Sequence, residues 1–534
     1  MSETTALGAP GPTWAELESE PPDVPQARAM LERAEWAARA FRTFDRAAVD
    51  RILEAVVAAA MQHAQEYAER AVAETGFGVV EHKRLKNEAC SRGVLEFYRE
   101  ADFVTPRIDT DRRIVEVPRP AGVVLALTPS TNPVATVYFK VLLALMTRNA
   151  VVVSPHPLAK QVCADAARAL GEAAEAAGAP AGVVQVVAQP TIPLIDALMT
   201  DPRTAVIVAT GGNAVVRAAY RSGNPALGVG PGNVPVLVDA TADLHAAAQR
   251  IVDSKSFDNS TLCTNESVVV VEQQVADAFL RALRSAGGYL VDAGQTERLR
   301  NLVFPQGRFS PDVVGRSATW LAERAGLQVP HSTKVLIAEF DQVVPEEVLA
   351  HEKLTPLLGL VRVPSAGAGI KAARAVLRIS GAGHSAAIHS RDPETILAFG
   401  AECNVLRVSV NVGNSLGSAG IETHLAPTMT IGTGYAGRSS VGENLRPDHL
   451  LNWVRLAHNA DPKVSMGDFS GLSPWRSVDG PVPPYPIPSN ARGAAAPPPP
   501  ARPDGPPALE VDLREELRRI IVEELHDLIG GSRG

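Results

Sequence analysis

A single cysteine stands in the polar stretch SKSFDNSTLCTNES, Ser254 to Ser267. A thiolate is the strongest nucleophile a side chain offers, and it can form a covalent thioester with a carbonyl substrate. An ordinary free cysteine is instead buried and packs as a small hydrophobe. The setting of Cys263, with Asp258, Asn259, Ser260, Thr261 and Asn265 around it, is too polar for that second role to be assumed. Cys90, Cys163 and Cys403 lie in helical stretches and read as core. Four cysteines in 534 residues make no disulfide framework, and no spacing suits zinc.

Two other short stretches carry chemistry. LTPSTNPVATVYFK (Leu127–Lys140) leaves a strand and enters a helix through Asn132-Pro133. Asn132 suits an N-cap with proline behind it, and its side-chain amide equally suits an oxyanion. VIVATGGNAVV runs strand, Thr210-Gly211-Gly212, helix. Glycines at a helix N-terminus leave amides free for a phosphate, although a plain strand–turn–helix junction reads the same way. The usual GxGxxG fingerprint is absent, and GVGPGN (Gly228–Asn233) has the wrong spacing for it.

These residues need a scaffold, and the chain's rhythm supplies one. Ala27 to Glu74 is Ala-rich with helical spacing and is closed by Gly76 and Gly78. Short, continuously apolar runs then alternate with helical stretches: Gly122–Leu127, Ala150–Ser154, Gly182–Val187 and Ala205–Ala209 as strands, about Val134–Met146 and Ala159–Ala177 as helices. Continuous apolarity marks parallel strands buried on both faces, and the alternation marks a doubly wound α/β domain. The rhythm resumes at Ser267–Val271, Lys334–Glu339, Leu358–Val363 and Arg407–Val412, with a helix at Ala368–Ile379. A second α/β domain is expected there, with Cys263 just before its first strand.

Seven motifs stand in the order found in CoA-acylating aldehyde dehydrogenases: TPSTNP, SPHPLAK (Ser154–Lys160), VATGG, GVGPGNVPV, SKSFDNSTLC, HEKLTP (His351–Pro356) and GAGHSAAIHS (Gly381–Ser390). Over roughly Ala27 to Asn459 the chain resembles this family, especially the acetaldehyde and propionaldehyde dehydrogenases of bacterial microcompartments. It is also similar to the aldehyde dehydrogenase half of bifunctional aldehyde–alcohol dehydrogenases. The resemblance implies an α/β fold of the aldehyde dehydrogenase type. Residues 1–26 would be a flexible N-terminus, 27–240 N-terminal helices and a Rossmann-like NAD(P) domain, and 241–429 a catalytic domain. Residues 430–460 would return to the core as an oligomerisation segment. Small oligomerising segments are expected near Thr105–Pro120 and Thr430–His458, in a homodimer or homotetramer.

The resemblance also implies roles. Cys263 matches the nucleophile, and Asn132 the side-chain half of an oxyanion hole whose other donor is the Cys263 amide. Glu352 matches the carboxylate that holds the nicotinamide ribose. Thr128, Ser154, His156, Thr210, Gly211 and Gly212 match positions along the dinucleotide. His156 stands where hydrolytic relatives carry a lysine, which leaves NAD and NADP both open. Hydrolytic members place a glutamate base in a segment whose equivalent here is GVGPGN, and an apolar residue, about Val229, fills its place. Water is then poorly activated, whereas the CoA thiol needs less help, so the implied product is an acyl-CoA. His384 could assist that thiol as a base, or serve structure alone. The rival functions are a hydrolytic dehydrogenase releasing free acid and an inactive scaffold. The aldehyde itself is not named by the sequence.

From Asp461 to Pro507 the chain holds 14 of its 42 prolines. Residues 461–508 therefore read as a semi-extended linker. Beyond it, Leu513, Leu517, Ile520, Ile521, Leu525 and Leu528 recur at helical spacing within Leu509–Gly531. This amphipathic helix resembles the encapsulation peptides that carry enzymes into a microcompartment lumen, with shell or lumen proteins as partners. Self-association is the plainer alternative. Net charge is −8 and no basic run appears, so nucleic acid is not an expected partner. The acidic N-terminus lacks the apolar core of a secretion signal, and no apolar run has membrane-spanning length. A cytoplasmic protein, without membrane partners or a metal, is the expectation.

Overall fold

The computed structural model describes residues 23–475, with Pro21 and residues 484–486 besides. Three helices, Asp23–Phe41, Arg46–Gln62 and Ala64–Thr75, account for the Ala-rich opening. Gly76 stops the third with φ 71°, the left-handed cap that glycine adopts without penalty. A fourth helix, Val80–Glu88, runs into a short π-turn over Ala89–Gly93.

Among the described residues, fifteen strands form three sheets. β1 (Arg107–Asp109), β2 (Ile114–Pro120) and β15 (Leu451–Ala457) make a small antiparallel sheet. It joins the two segments expected to mediate oligomerisation. β3 (Val123–Thr128), β4 (Ala150–Pro155), β5 (Val184–Val186), β6 (Thr204–Ala209) and β7 (Ala226–Gly228) form a parallel sheet in the order β5-β4-β3-β6-β7. The chain therefore winds one way from β3 and then the other, with the switch point between β3 and β6. Ligands of doubly wound sheets bind at the strand carboxyl ends there. Lys140 ties the two strands beneath that point, donating to Leu127 O at 2.5 Å and Val208 O at 2.8 Å. Its helix, Pro133–Met146, is buried along its whole length, because the sheet covers one side and the N-terminal helices the other.

The third sheet is also parallel. It holds β8 (Val234–Val238), β9 (Glu266–Glu272), β10 (Gly288–Leu290), β11 (Val335–Glu339), β12 (Leu357–Val363), β13 (Ala386–His389) and β14 (Val408–Val410), in the order β10-β11-β12-β9-β8-β13-β14. Successive residues serve opposite cores: Val268 and Val270 pack on one face, Val269 and Val271 on the other. That is why these strands read as unbroken apolar runs. The boundary differs from the sequence expectation. β8, assigned above to the first domain, lies at the heart of the second sheet, so Cys263 precedes its second strand in chain order. Five apolar residues, VPVLV, fit either sheet equally well, and only the pairing of β8 with β9 and β13 decides.

The proline-rich segment does not leave the core where its composition changes. Trp475 donates its indole N–H to Val104 O at 2.6 Å and lies 4.4 Å from the Arg148 guanidinium. Tyr485 sets its ring edge-on to Trp36, 5.6 Å between centroids. The amphipathic helix expected over Leu509–Gly531 lies outside the described residues. Among the described residues, no helix is long and apolar enough to cross a membrane.

Candidate active site

Cys263 occupies a turn between the helix Leu244–Ser256 and β9. Asparagines shape this turn. Asn265 donates to Leu262 O at 2.6 Å and Ser260 O at 3.1 Å, Asn414 donates to Thr264 O at 2.7 Å, and Asn132 donates to Thr261 O at 3.1 Å. The polar setting that singled out this cysteine is thus a scaffold that fixes the carbonyls on either side of it. Cys263 is half-buried, whereas Cys90, Cys163 and Cys403 are buried.

Burial pushes the Cys263 thiol up to about 12, the Glu352 carboxylate adds to the rise, and the residue's own backbone N–H and Arg407 oppose it. At that value only about one thiol in 10⁵ is ionised at pH 7. The free site thus holds a protonated thiol with a main-chain donor aimed at its sulfur.

Asn132 stands at the N-cap position of the helix Pro133–Met146, yet its side chain makes no capping bond. The amide turns away to the Cys263 turn. Its Oδ1 accepts from Lys86 and its Nδ2 reaches Thr261 O and, at 3.2 Å, Thr131 Oγ1. Lys86 and Lys83 flank the buried Asp258 carboxylate, Lys83 at 3.0 Å. Val79 N and Thr261 Oγ1 donate to the same carboxylate at 2.7 and 2.6 Å. These contacts hold three consecutive non-glycine residues, Asp258, Asn259 and Ser260, in the left-handed region at φ 50°, 50° and 65°. Such a run is costly and survives only where its surroundings over-determine it.

GVGPGN closes over Cys263. A methyl on Gly232 would fall 2.0 Å from Cys263 O and 3.3 Å from His384 Cε1. The Gly232 main chain also hydrogen-bonds Glu352, whose carboxyl is pushed up to about 8 by burial, with Gly232, Lys255 and Lys353 opposing the rise. Cys263, Gly232, Glu352 and His384 therefore meet around one loop. His384 is fully buried, its Nδ1 2.9 Å from Ser385 Oγ and its Nε2 without a hydrogen-bond partner among the described residues. Burial, with Arg407 adding, holds its ring down at about 3, so it is neutral and a weak base as it stands.

The dinucleotide candidates gather at the switch point. Thr128 ends β3, Ser154 is the last residue but one of the adjacent β4, and Thr210, Gly211 and Gly212 follow β6. Gly212 opens the helix Asn213–Arg221 with no side-chain cap, which leaves its first amides available to a phosphate. Thr210 Oγ1 meets Thr430 Oγ1 at 2.9 Å. His156 Nδ1 accepts from Leu158 N at 3.1 Å, and burial pushes the ring down to about 4. It offers no charge where a lysine would.

The sequence reading passed over Lys83, Lys86 and Asp258 as chemistry. Two lysines three apart on a short helix read as a solvated face, and nothing local connects them to a residue 172 positions on.

Residues 16–294 match the model of the aldehyde dehydrogenase family, and the chain belongs to that family. It is 36% identical over 445 residues to the bifunctional aldehyde-alcohol dehydrogenase of Escherichia coli K12, covering 82% of this chain and 50% of that one. The chain thus spans about half the length of such bifunctional relatives. It is 33% identical to the acetylating succinate-semialdehyde dehydrogenase of Clostridium kluyveri, over 82% of this chain and 96% of the relative. Among solved structures, an acetylating aldehyde dehydrogenase from Geobacillus thermoglucosidasius is 36% identical, with a TM-score of 0.80 over 82% of this chain and 97% of that one. A propionaldehyde dehydrogenase from the fucose-utilisation microcompartment of Clostridium phytofermentans is 29% identical, with a TM-score of 0.75 over 81% and 97%. One from Rhodopseudomonas palustris, with CoA bound and a cysteine acylated, is 28% identical, with a TM-score of 0.75 over 81% and 97%.

Proposed function

We propose that this protein is a CoA-acylating aldehyde dehydrogenase, converting a short-chain aldehyde, NAD(P)+ and CoA to acyl-CoA and NAD(P)H. The observation that carries the reading is the pairing of a half-buried cysteine with the GVGPGN loop, in which no carboxylate stands between Gly228 and Val238. The named acylating relatives support it.

Cys263 is the nucleophile. The thiol gives up its proton to solvent as its sulfur adds to the aldehyde carbonyl, and the oxyanion is met by the Cys263 amide and Asn132 Nδ2. Loss of one such donor typically costs roughly 3–4 kcal/mol of barrier. A bound nicotinamide dinucleotide supplies the acceptor for the hydride; Thr128, Ser154, His156, Thr210, Gly211, Gly212 and Glu352 are the residues that would hold it. The acyl group is left as a thioester on Cys263. The CoA thiol then displaces Cys263, with the unpartnered His384 Nε2 as the candidate acceptor of its proton. Turnover with CoA present and withheld tests the reading. Full-rate NAD(P)H formation without CoA would favour the hydrolytic rival. Unchanged aldehyde oxidation in Cys263→Ala would overturn the assignment of the nucleophile, and no oxidation by the unaltered chain with any aldehyde would favour the inactive scaffold.

The tail, residues 509–531, is proposed as an encapsulation peptide that carries the enzyme into a microcompartment lumen by binding shell or lumen proteins. Its amphipathic pattern supports this, as does the likeness to a microcompartment enzyme. Removing it should spare turnover and abolish co-purification with shells, and retained co-purification refutes the role. A homodimer or homotetramer is proposed from two unpaired edges, β14 and β15, with Leu406, Val454 and Leu456 exposed beside them. A monomeric mass by light scattering would exclude it.

A further inference from the structure

Asn132 is useful to an oxyanion only one way round. Its Nδ2 must face the reacting carbonyl, because its Oδ1 would repel the developing charge. A carboxamide can rotate by half a turn within nearly the same volume, so something must choose between the two orientations.

Lys86 is placed to choose. Its ammonium has three donors and no acceptor, so the atom it faces must be the amide oxygen. Nδ2 is thereby turned toward the Cys263 turn. One of its contacts is the fixed Thr261 carbonyl, and the other is the Thr131 hydroxyl, which can rotate away as a stronger acceptor arrives. An ammonium on the amide oxygen also draws electron density from the nitrogen, which makes its N–H groups better donors. Lys86 is in turn immobilised by Asp258, and the Asp258 carboxylate by Lys83, Thr261 and Val79. The line runs from a helix near the N-terminus, through Lys86, to the amide and the nucleophile's turn.

We infer that Lys86, held by Asp258, is a positioning residue for acyl-enzyme formation: it fixes and polarises the Asn132 amide so that Nδ2 serves the oxyanion. The inference rests on the oxyanion reading of Asn132 given above.

Lys83 provides the control. Lys83→Met and Lys86→Met each remove one cation from Asp258 and leave the other in place, but only Lys86 touches Asn132. Lys86→Met should lower kcat and kcat/KM together by about 10²-fold, the loss typical of one oxyanion donor. Lys83→Met loosens Asp258 and frees Thr131 O but leaves Lys86 on the Asn132 amide, so it should cost no more than about tenfold, well short of Lys86→Met. The double variant Lys86→Met/Asn132→Ala should be no slower than Asn132→Ala alone, since the two act as a unit. Thermal midpoints are measured for all four. Lys86→Gln keeps two N–H donors, drops the charge, and carries the test if Lys86→Met does not fold.

Equal kinetic losses in Lys83→Met and Lys86→Met, with equal drops in midpoint, would make Lys86 merely structural and overturn the inference. Losses that multiply in the double variant would overturn it too. Unimpaired turnover in Asn132→Ala would instead sink the oxyanion reading itself, which separates the two failures.

Discussion

The α-carbon of Gly232 lies against the main chain of Cys263, so closely that a methyl there would fall 2.0 Å from the Cys263 carbonyl oxygen. The loop that lacks a carboxylate is thus the loop that seats Cys263. Gly232→Ala must push backbone against backbone, with no flexible side chain to yield. Displacement of a reacting group by about 1 Å can cost on the order of 10²-fold in rate. A loss of that size is expected in aldehyde oxidation, with dinucleotide binding by fluorescence titration largely kept. Normal turnover would show that the two segments can part without harm.

Val229 stands about where the resemblance to hydrolytic relatives would put their base, and it is buried at 5% exposure. Val229→Glu should raise NADH formation in the absence of CoA, with free acid as the product. A positioned general base is worth about 10²–10⁴-fold, and a gain of at least about tenfold is expected even in an imperfect setting. No gain would mean that water is excluded by something other than the missing carboxylate.

Cys263 should be slow to alkylate in the free enzyme. With its thiol raised to about 12, the thiolate fraction climbs about tenfold per unit over roughly pH 7 to 10 without levelling. An unperturbed thiol would level off above about pH 9. Glu352 raises the thiol by its charge, so Glu352→Gln should move the profile to lower pH. Iodoacetamide labelling followed by peptide mass analysis reads this, and Cys90, Cys163 and Cys403, all buried, should stay unlabelled. A plateau near neutral pH would contradict the protonated resting state.

Trp475 belongs to the folded core through its bond to Val104 O and its stacking on Arg148. Arg148 is fully buried, and burial lowers its guanidinium to about 10. A chain ended after residue 460 uncovers that charge, and one ended after 486 does not. The shorter chain should lose roughly 2–3 kcal/mol, from one desolvated cation–π contact and one hydrogen bond. Thermal melts of the two chains should therefore differ. Coincident melts would return residues 461–475 to the linker.

Local pattern served well wherever one segment decides its own form. Val123–Thr128, Ala150–Pro155 and Glu266–Glu272 are strands because each is apolar on both faces. Gly76 ends its helix because the left-handed cap suits glycine. Cys263 could be suspected because its polar neighbours are the wrong company for a core cysteine. What stayed hidden depends on partners far along the chain. β8 belongs to the second sheet because β9 and β13 flank it. Trp475 docks because Arg148 waits 327 residues earlier. Asp258, Asn259 and Ser260 announce no left-handed run, because none is glycine and the groups that impose it lie on another helix.

That run also bears on how the molecule is made. The helix Val80–Glu88 emerges from the ribosome long before Asp258, and Gly78 beside it leaves room for the carboxylate where a methyl would fall 2.1 Å from Oδ1. The receptor for the strained turn is therefore synthesised first and the turn is delivered to it. A fragment cut out as the catalytic sheet alone would contain the nucleophile and still be inert, because the groups that give its turn a shape are inherited from the other end of the chain.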